Sequence, residues 1–190
     1  MQSPFLPRRD ALRTFRIKSA ARRGVLLLAM GLILQTGDFA LAQVKGDEAE
    51  MDRLQARAEE LIATGDPEGA ALQMGRAALM AALLAKGGAD TPSELVFRGA
   101  EQLYRAQEQG YRALALYQRA GGQPPASTGT CHTLHTAETG VHQALTTLAI
   151  DEPARAALSP RDAARLTALR TSADDWVTVV ASMASDFQCP

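Results

Sequence analysis

Between residues 166 and 187 the apolar side chains step alternately by three and four. Leu166, Leu169, Ala173, Trp176, Val180, Met183 and Phe187 all fall on one stripe. An α-helix turns once in 3.6 residues, so this spacing keeps a single face apolar for about six turns. Such a face is buried against neighbouring helices at a shallow crossing angle. A strand, with its period of two, would scatter the same side chains over both faces.

The rest of the chain follows the same rule. Ala, Leu, Glu, Gln and Arg dominate, and β-branched runs are nearly absent. A helix is expected over about 46–63, with Met51, Leu54, Ala58 and Leu61 on one face. Gly65-Asp66-Pro67 stops it and starts the next, with Asp66 as N-cap and Pro67 at the first helical position. The second helix runs over about 67–86, with Leu72, Leu79, Leu83 and Leu84 as its apolar residues, and Gly87-Gly88 ends it. Thr91-Pro92-Ser93-Glu94 reads as a capping box. It opens a third helix reaching about Ala120. Phe97, Ala100, Tyr104, Gln107, Tyr111 and Leu114 keep their rhythm across Gly110, which favours one continuous helix over a break.

Gly121 through Gly129, with Pro124-Pro125, is the clearest linker. A fourth helix is expected over about 131–149, carrying Leu134, Ala137, Val141, Leu145 and Leu148. Asp151-Glu152-Pro153 opens a short turn or helix to about 158, and Ser159-Pro160 caps the last helix. The expected fold is therefore all-α, an up-and-down antiparallel bundle of four to five helices in a single domain, 43–190.

Residues 1–42 read as an export signal. Arg22-Arg23 precedes an apolar run, 24–34, that is shorter than the roughly twenty residues a bilayer needs. Ala40-Leu41-Ala42 offers a cleavage site before Gln43. The paired arginines resemble the twin-arginine signal, and the long basic segment also fits the Sec route. A periplasmic or secreted location is expected, with membrane attachment only if the segment stays uncleaved. Of 20 cations and 21 anions in the chain, seven and two fall in 1–42, which leaves 13 and 19 for the remainder. An acidic mature chain argues against nucleic-acid binding, which needs a basic face to displace phosphate counterions.

Cys131 and Cys189 are the only cysteines. In an oxidising compartment a disulfide is the default state. If the fourth and last helices run antiparallel, the start of one meets the end of the other, and the two Cα atoms can approach within the roughly 4.4–6.8 Å a bridge requires. An intermolecular bridge or two free thiols are the alternatives.

All three histidines, His132, His135 and His142, lie on the fourth helix. His132 and His135 could face one cation, with Glu138 nearby. A metal site draws three or four ligands from more than one element, and no second cluster is evident. Tyr104 and Tyr111, seven apart, share a face and could line an inter-helix pocket. Core aromatics with hydroxyls at the rim would show the same spacing. Asp174-Asp175 reads as a solvated face. No cofactor motif is present and none is expected.

Residues 51–84 and 94–127 resemble tetratricopeptide hairpins in the placing of Leu54, Ala58, Leu61, Gly65-Asp66, Ala70 and Ala77, and then of Phe97, Tyr104, Ala113, Tyr117, Ala120 and Pro125. The spacing between the two is about 43 residues where that repeat has 34. Gly75-Arg76-Ala77-Ala78-Leu79-Met80-Ala81-Ala82-Leu83-Leu84-Ala85-Lys86 is similar to the G-R-x-R-M-L-x-x-R-M-A-K helix of the PilJ-like, NIT-related periplasmic sensor domains. Tyr111, Leu114, Leu116, Gly121-Gly122 and Trp176 have counterparts there. That resemblance implies a helical sensor and carries over Arg76 as a ligand-binding cation. The family's second and third arginines are Ala78 and Leu83 here, which puts oxyanion binding in doubt.

Secreted helical chorismate mutases share the size, export signal and C-terminal disulfide. Their chemistry needs several cations including a lysine, and the mature chain has only Lys45 and Lys86. No catalytic motif is present. The expectation is a non-enzymatic binding or sensory protein for a small ligand or an envelope partner protein. Arg76, Tyr104 and Tyr111 are the candidate ligand-binding residues, and a tetratricopeptide-like scaffold is the alternative.

Overall fold

A computed structural model describes residues 46–190, which belong to one compact unit. The export signal expected over 1–42 lies outside the described residues. Among those described there are six helices and no strand: α1 (Glu48–Ala63), α2 (Pro67–Gly87), α3 (Pro92–Arg119), α4 (Thr128–Leu148), the short α5 (Glu152–Ala156) and α6 (Pro160–Asp186). No described helix is long and apolar enough to cross a membrane.

Local chemistry sets the boundaries. Asp47, Asp66, Ser127, Asp151 and Ser159 each accept a backbone N–H of the helix that follows, satisfying a donor that has no partner within the helix. Gly65 takes a positive φ of 82° after α1, and Asp66 N–H then reaches back to the Leu61 carbonyl at 2.8 Å. α3 is one continuous helix through Gly110.

Two boundaries differ from the sequence reading. α4 begins at Thr128, three residues early, because Ser127 supplies the cap and Thr130 donates to it at 3.2 Å. The capping box at Thr91 is not made. Thr91 Oγ1 turns back to donate to the Gly88 carbonyl at 2.5 Å, and Glu94 accepts from Asp90 N–H at 3.0 Å.

Side-chain pairings give the directions. Glu68–Arg119 and the close approach of Gly75 to Glu108 make α2 and α3 antiparallel. Gly99 against Leu148 and Gly140 against Ala106 do the same for α3 and α4. Ser93–Asp162 and Gln107–Ser172 run α3 and α6 parallel, while Glu48–Arg161 and Asp52–Arg165 run α1 and α6 parallel. The result is an up-down-up-down-up bundle. α3 lies between α2 and α4, and α1 and α6 cover its inner side.

The α6 stripe is buried as expected, with only Met183 left partly open. From Trp176 onward the stripe joins Leu134, Ala137 and Val141 of α4 in a cluster that ends at the Cys131–Cys189 disulfide, whose Cα atoms are 5.4 Å apart. A second cluster fills the space between α1, α2, α3 and the first half of α6.

α2 corrects the expectation about its leucines. Leu72 and Leu79 are each 54 % exposed, while Ala70, Ala71, Met74, Ala77, Ala78, Ala81 and Ala85 face the core. The small residues let α2 sit close between α1 and α3, and Leu83 and Leu84 remain only partly covered. Ala77→Leu is therefore expected to cost about 1–3 kcal/mol by overpacking. Leu79→Gln is expected to change stability by less than about 0.5 kcal/mol. Urea midpoints of the two variants check the assignment, and the reverse order would refute it.

Candidate functional site

α3 carries two seven-residue series, one position and so about 100° apart around the helix. Phe97, Tyr104 and Tyr111 point inward, toward α1 and α6. Arg98, Arg105, Arg112 and Arg119 point outward. Seven residues fall about 20° short of two full turns, so each series stays on one side for the length of the helix.

On the inner side, Tyr104 is 1 % exposed and donates its hydroxyl to Gln55 Oε1 at 2.9 Å. It floors a cleft of about 370 Å³ between α1 and α6, rimmed by Asp52, Arg161, Arg165 and Ser172. Arg165 ties the two helices together. Its Nη1 and Nη2 reach the two Asp52 oxygens at 2.8 and 3.2 Å, and Nη2 also reaches Glu48 at 3.1 Å. Its guanidinium lies 5.7 Å from the Phe97 ring centre, and its buried Nε–H finds no acceptor among the described residues. The hydrogen bonds it donates to Asp52 hold the Arg165 pKa above its ordinary value, against the opposing effect of burial. Tyr111 packs edge-on against Trp176, with ring centres 5.1 Å apart.

Burial pushes the Tyr104 phenol up to about 12, with Arg165 opposing and Asp52 and Glu59 reinforcing. Tyr111 is raised to about 12 by burial and then by Glu59. The unfolded chain would release these protons near pH 10 while the folded chain keeps them. Stability is thus unaffected below about pH 10 and falls as pH rises toward 12, by about 3 kcal/mol for the fully buried Tyr104. Denaturant midpoints taken from pH 9 upward are expected to drop through that window. Tyr104→Phe should remove about half of the drop, Tyr111 supplying the rest, and an unchanged slope would show that Tyr104 does not cause it.

The outer side is built around Glu108, only 5 % exposed. It accepts from Arg112 at 2.5 Å and from Arg105 at 3.2 Å, and so holds both arginines on the outer face of α3. Gly75 makes room for this carboxylate, since a Cβ there would stand 3.0 Å from Glu108 Cδ. Two depressions flank these arginines. One, of about 600 Å³, holds Leu72, Arg112, Leu116 and Arg119. The other, of about 520 Å³, holds Glu101, Gln102, Arg105 and, from α4, Thr136 and Thr139. Gln109 borders both, so the two depressions adjoin and together make a trough along the outer face of α3, with α4 residues at its Glu101 end and α2 residues at its Arg119 end.

The structure does not bring Arg76, Tyr104 and Tyr111 into one pocket. The tyrosines lie on the inner side of α3, and Arg76 stands exposed on the outer stripe of α2 beside Leu72 and Leu79. His132 and His135 are exposed on α4, and His135 Nδ1 lies 3.2 Å from Glu138 Oε2. No group of three His, Cys, Asp or Glu side chains is gathered for a metal among the described residues. The sequence reading missed Arg165, Glu108 and the arginine series. Applying the seven-residue count to cations as well as aromatics would have found the last of these.

No protein-family model, no curated protein and no solved structure matches this chain.

Proposed function

We propose that the chain is an exported, non-enzymatic binding protein of the periplasm or the secreted space. It recognises a partner protein through the outer trough along α3. One observation carries this reading: Leu72 and Leu116, 54 % and 38 % exposed, stand in the same depression as Arg112 and Arg119. Covering a large apolar side chain contributes about 1.5–3 kcal/mol, and arginine is enriched where proteins meet. The Cys131–Cys189 bridge and the apolar run 24–34 support a non-reducing, extracytoplasmic setting.

A second reading, a PilJ-like small-ligand sensor, is favoured by the cleft over Tyr104 with Arg161 and Arg165 at its rim. One experiment separates the two. A photo-crosslinking residue placed at Leu72 or Leu116 in the producing cell is expected to yield an adduct of defined mass, absent when it is placed at Val179 on α6. Adducts from Val179 alone would remove the trough reading. No adduct at any position, together with a melting temperature raised by a small anion, would move the function to the cleft.

A further inference from the structure

The trough has a length, a charge order and one apolar end, and together these describe an occupant. It runs along α3 from Glu101 to Arg119, about 27 Å at 1.5 Å per residue. Its arginines, Arg105, Arg112 and Arg119, are spaced by seven residues, about 10.5 Å each. A helix carrying acids at the same interval stays in step with them, because its own seven-residue rise is identical. An extended strand repeats each face at about 6.8 Å and so misses the middle arginine.

The charges in the trough, Arg105, Arg112 and Arg119 against Glu68, Glu101 and Glu108, cancel in sum but are unevenly placed. Arg105 and Arg112 share the single carboxylate of Glu108, which leaves one positive charge in excess. Arg119 meets only Glu68, and both side chains are mostly exposed, so that pair is readily exchanged for another anion. From α4 the trough presents His135, Thr136, Thr139 and Gln143, and no carboxylate of α4 lines it among the described residues. At the far end Glu101 has no cation partner among the described residues. Cations thus gather at the Arg112–Arg119 end, beside Leu72 and Leu116, and an anion stands at the other.

We infer that the trough seats an amphipathic helix of a partner protein, lying antiparallel to α3. Acids in its first turns meet Arg112 and Arg119, and an apolar side chain sits between Leu72 and Leu116. Acids near a helix N-terminus also suit that helix's own dipole, and antiparallel dipoles attract. This occupant rests on the outer face being the recognition surface.

The probe is a labelled helical peptide of about twenty residues, long enough to span the trough. It has acidic first turns, a leucine on the same face and a lysine toward its C-terminus. Its comparison peptide exchanges every acid for lysine and every lysine for glutamate. Binding to the native exported protein, with its disulfide intact, is read by fluorescence anisotropy. The acidic-start peptide is expected to bind at least about tenfold more tightly, with the advantage shrinking as salt rises. Arg119→Glu, at an exposed position, should remove most of that advantage. Arg112→Gln should weaken it further, with circular dichroism confirming that both variants stay folded. Equal binding of the two peptides, or a preference that survives Arg119→Glu, would overturn the inference. So would a crosslinked adduct from Leu72 with twice the mass of the chain, since the occupant would then be a second copy. Crosslinks to another protein without any charge preference would leave the trough as the recognition face and reject only this occupant.

Discussion

Replacing Cys131 and Cys189 together by alanine is expected to cost about 4 kcal/mol of folding stability. The bridge joins positions 58 residues apart. Opening a loop of that length returns about this much conformational entropy to the unfolded chain. Domains of this size are stable by only about 5–15 kcal/mol, so the loss is a large fraction of the whole. The damage should also be local. The bridge ties the first turn of α4 to the chain just beyond α6, where Ala126 N–H donates to the Phe187 carbonyl at 2.8 Å and Phe187 stacks on Tyr117. The cluster around Met51, Met74 and Leu103 lies away from it. Hydrogen exchange should therefore rise first in the start of α4 and the end of α6, and later in α2. Urea midpoints measure the size and exchange measures the place. A loss below about 1 kcal/mol would mean that the unfolded chain stays compact without the bridge.

What the sequence makes legible here follows from what is local. The α6 stripe, the aspartate and serine caps and the proline starts all act within a few residues of one another, and the structure reproduces them. Thr91 misled because a hydroxyl can either accept from the helix N–H or donate to a nearby carbonyl, and here it donates to Gly88. α2 misled for a different reason. Hydrophobicity ranks leucine above alanine, but a helix squeezed between two others selects the smaller residue, and only the packing reveals that. The disulfide was legible because two cysteines at helix ends in a bundle leave few geometries. Arg165 was not, since its partners Asp52 and Glu48 lie more than a hundred residues away and nothing in its neighbourhood announces them. Arg76 followed from a resemblance, whereas the neighbouring Gly75 has a reason of its own in the buried Glu108 carboxylate.

Gly110 and Trp176 allow a sharper test of how α3 meets α6. Glycine inside a helix costs about 1 kcal/mol relative to alanine, so on propensity alone Gly110→Ala should stabilise. In this fold an added Cβ would stand 2.6 Å from Trp176 Cζ3, inside any permitted contact. The ring cannot swing away freely, because it is 9 % exposed and braced edge-on by Tyr111. Gly110→Ala is therefore expected to destabilise by about 1–3 kcal/mol. Trp176→Ala should cost about 3–5 kcal/mol, since it empties the junction between the two core clusters. Once the ring is gone, the clash goes with it. Gly110→Ala made in the Trp176→Ala background should then recover up to about 1 kcal/mol, reversing its sign. A double-mutant cycle in urea measures that reversal directly. If Gly110→Ala destabilises equally in both backgrounds, the ring is not what holds glycine at this position, and the close packing of α3 on α6 at this point is wrong.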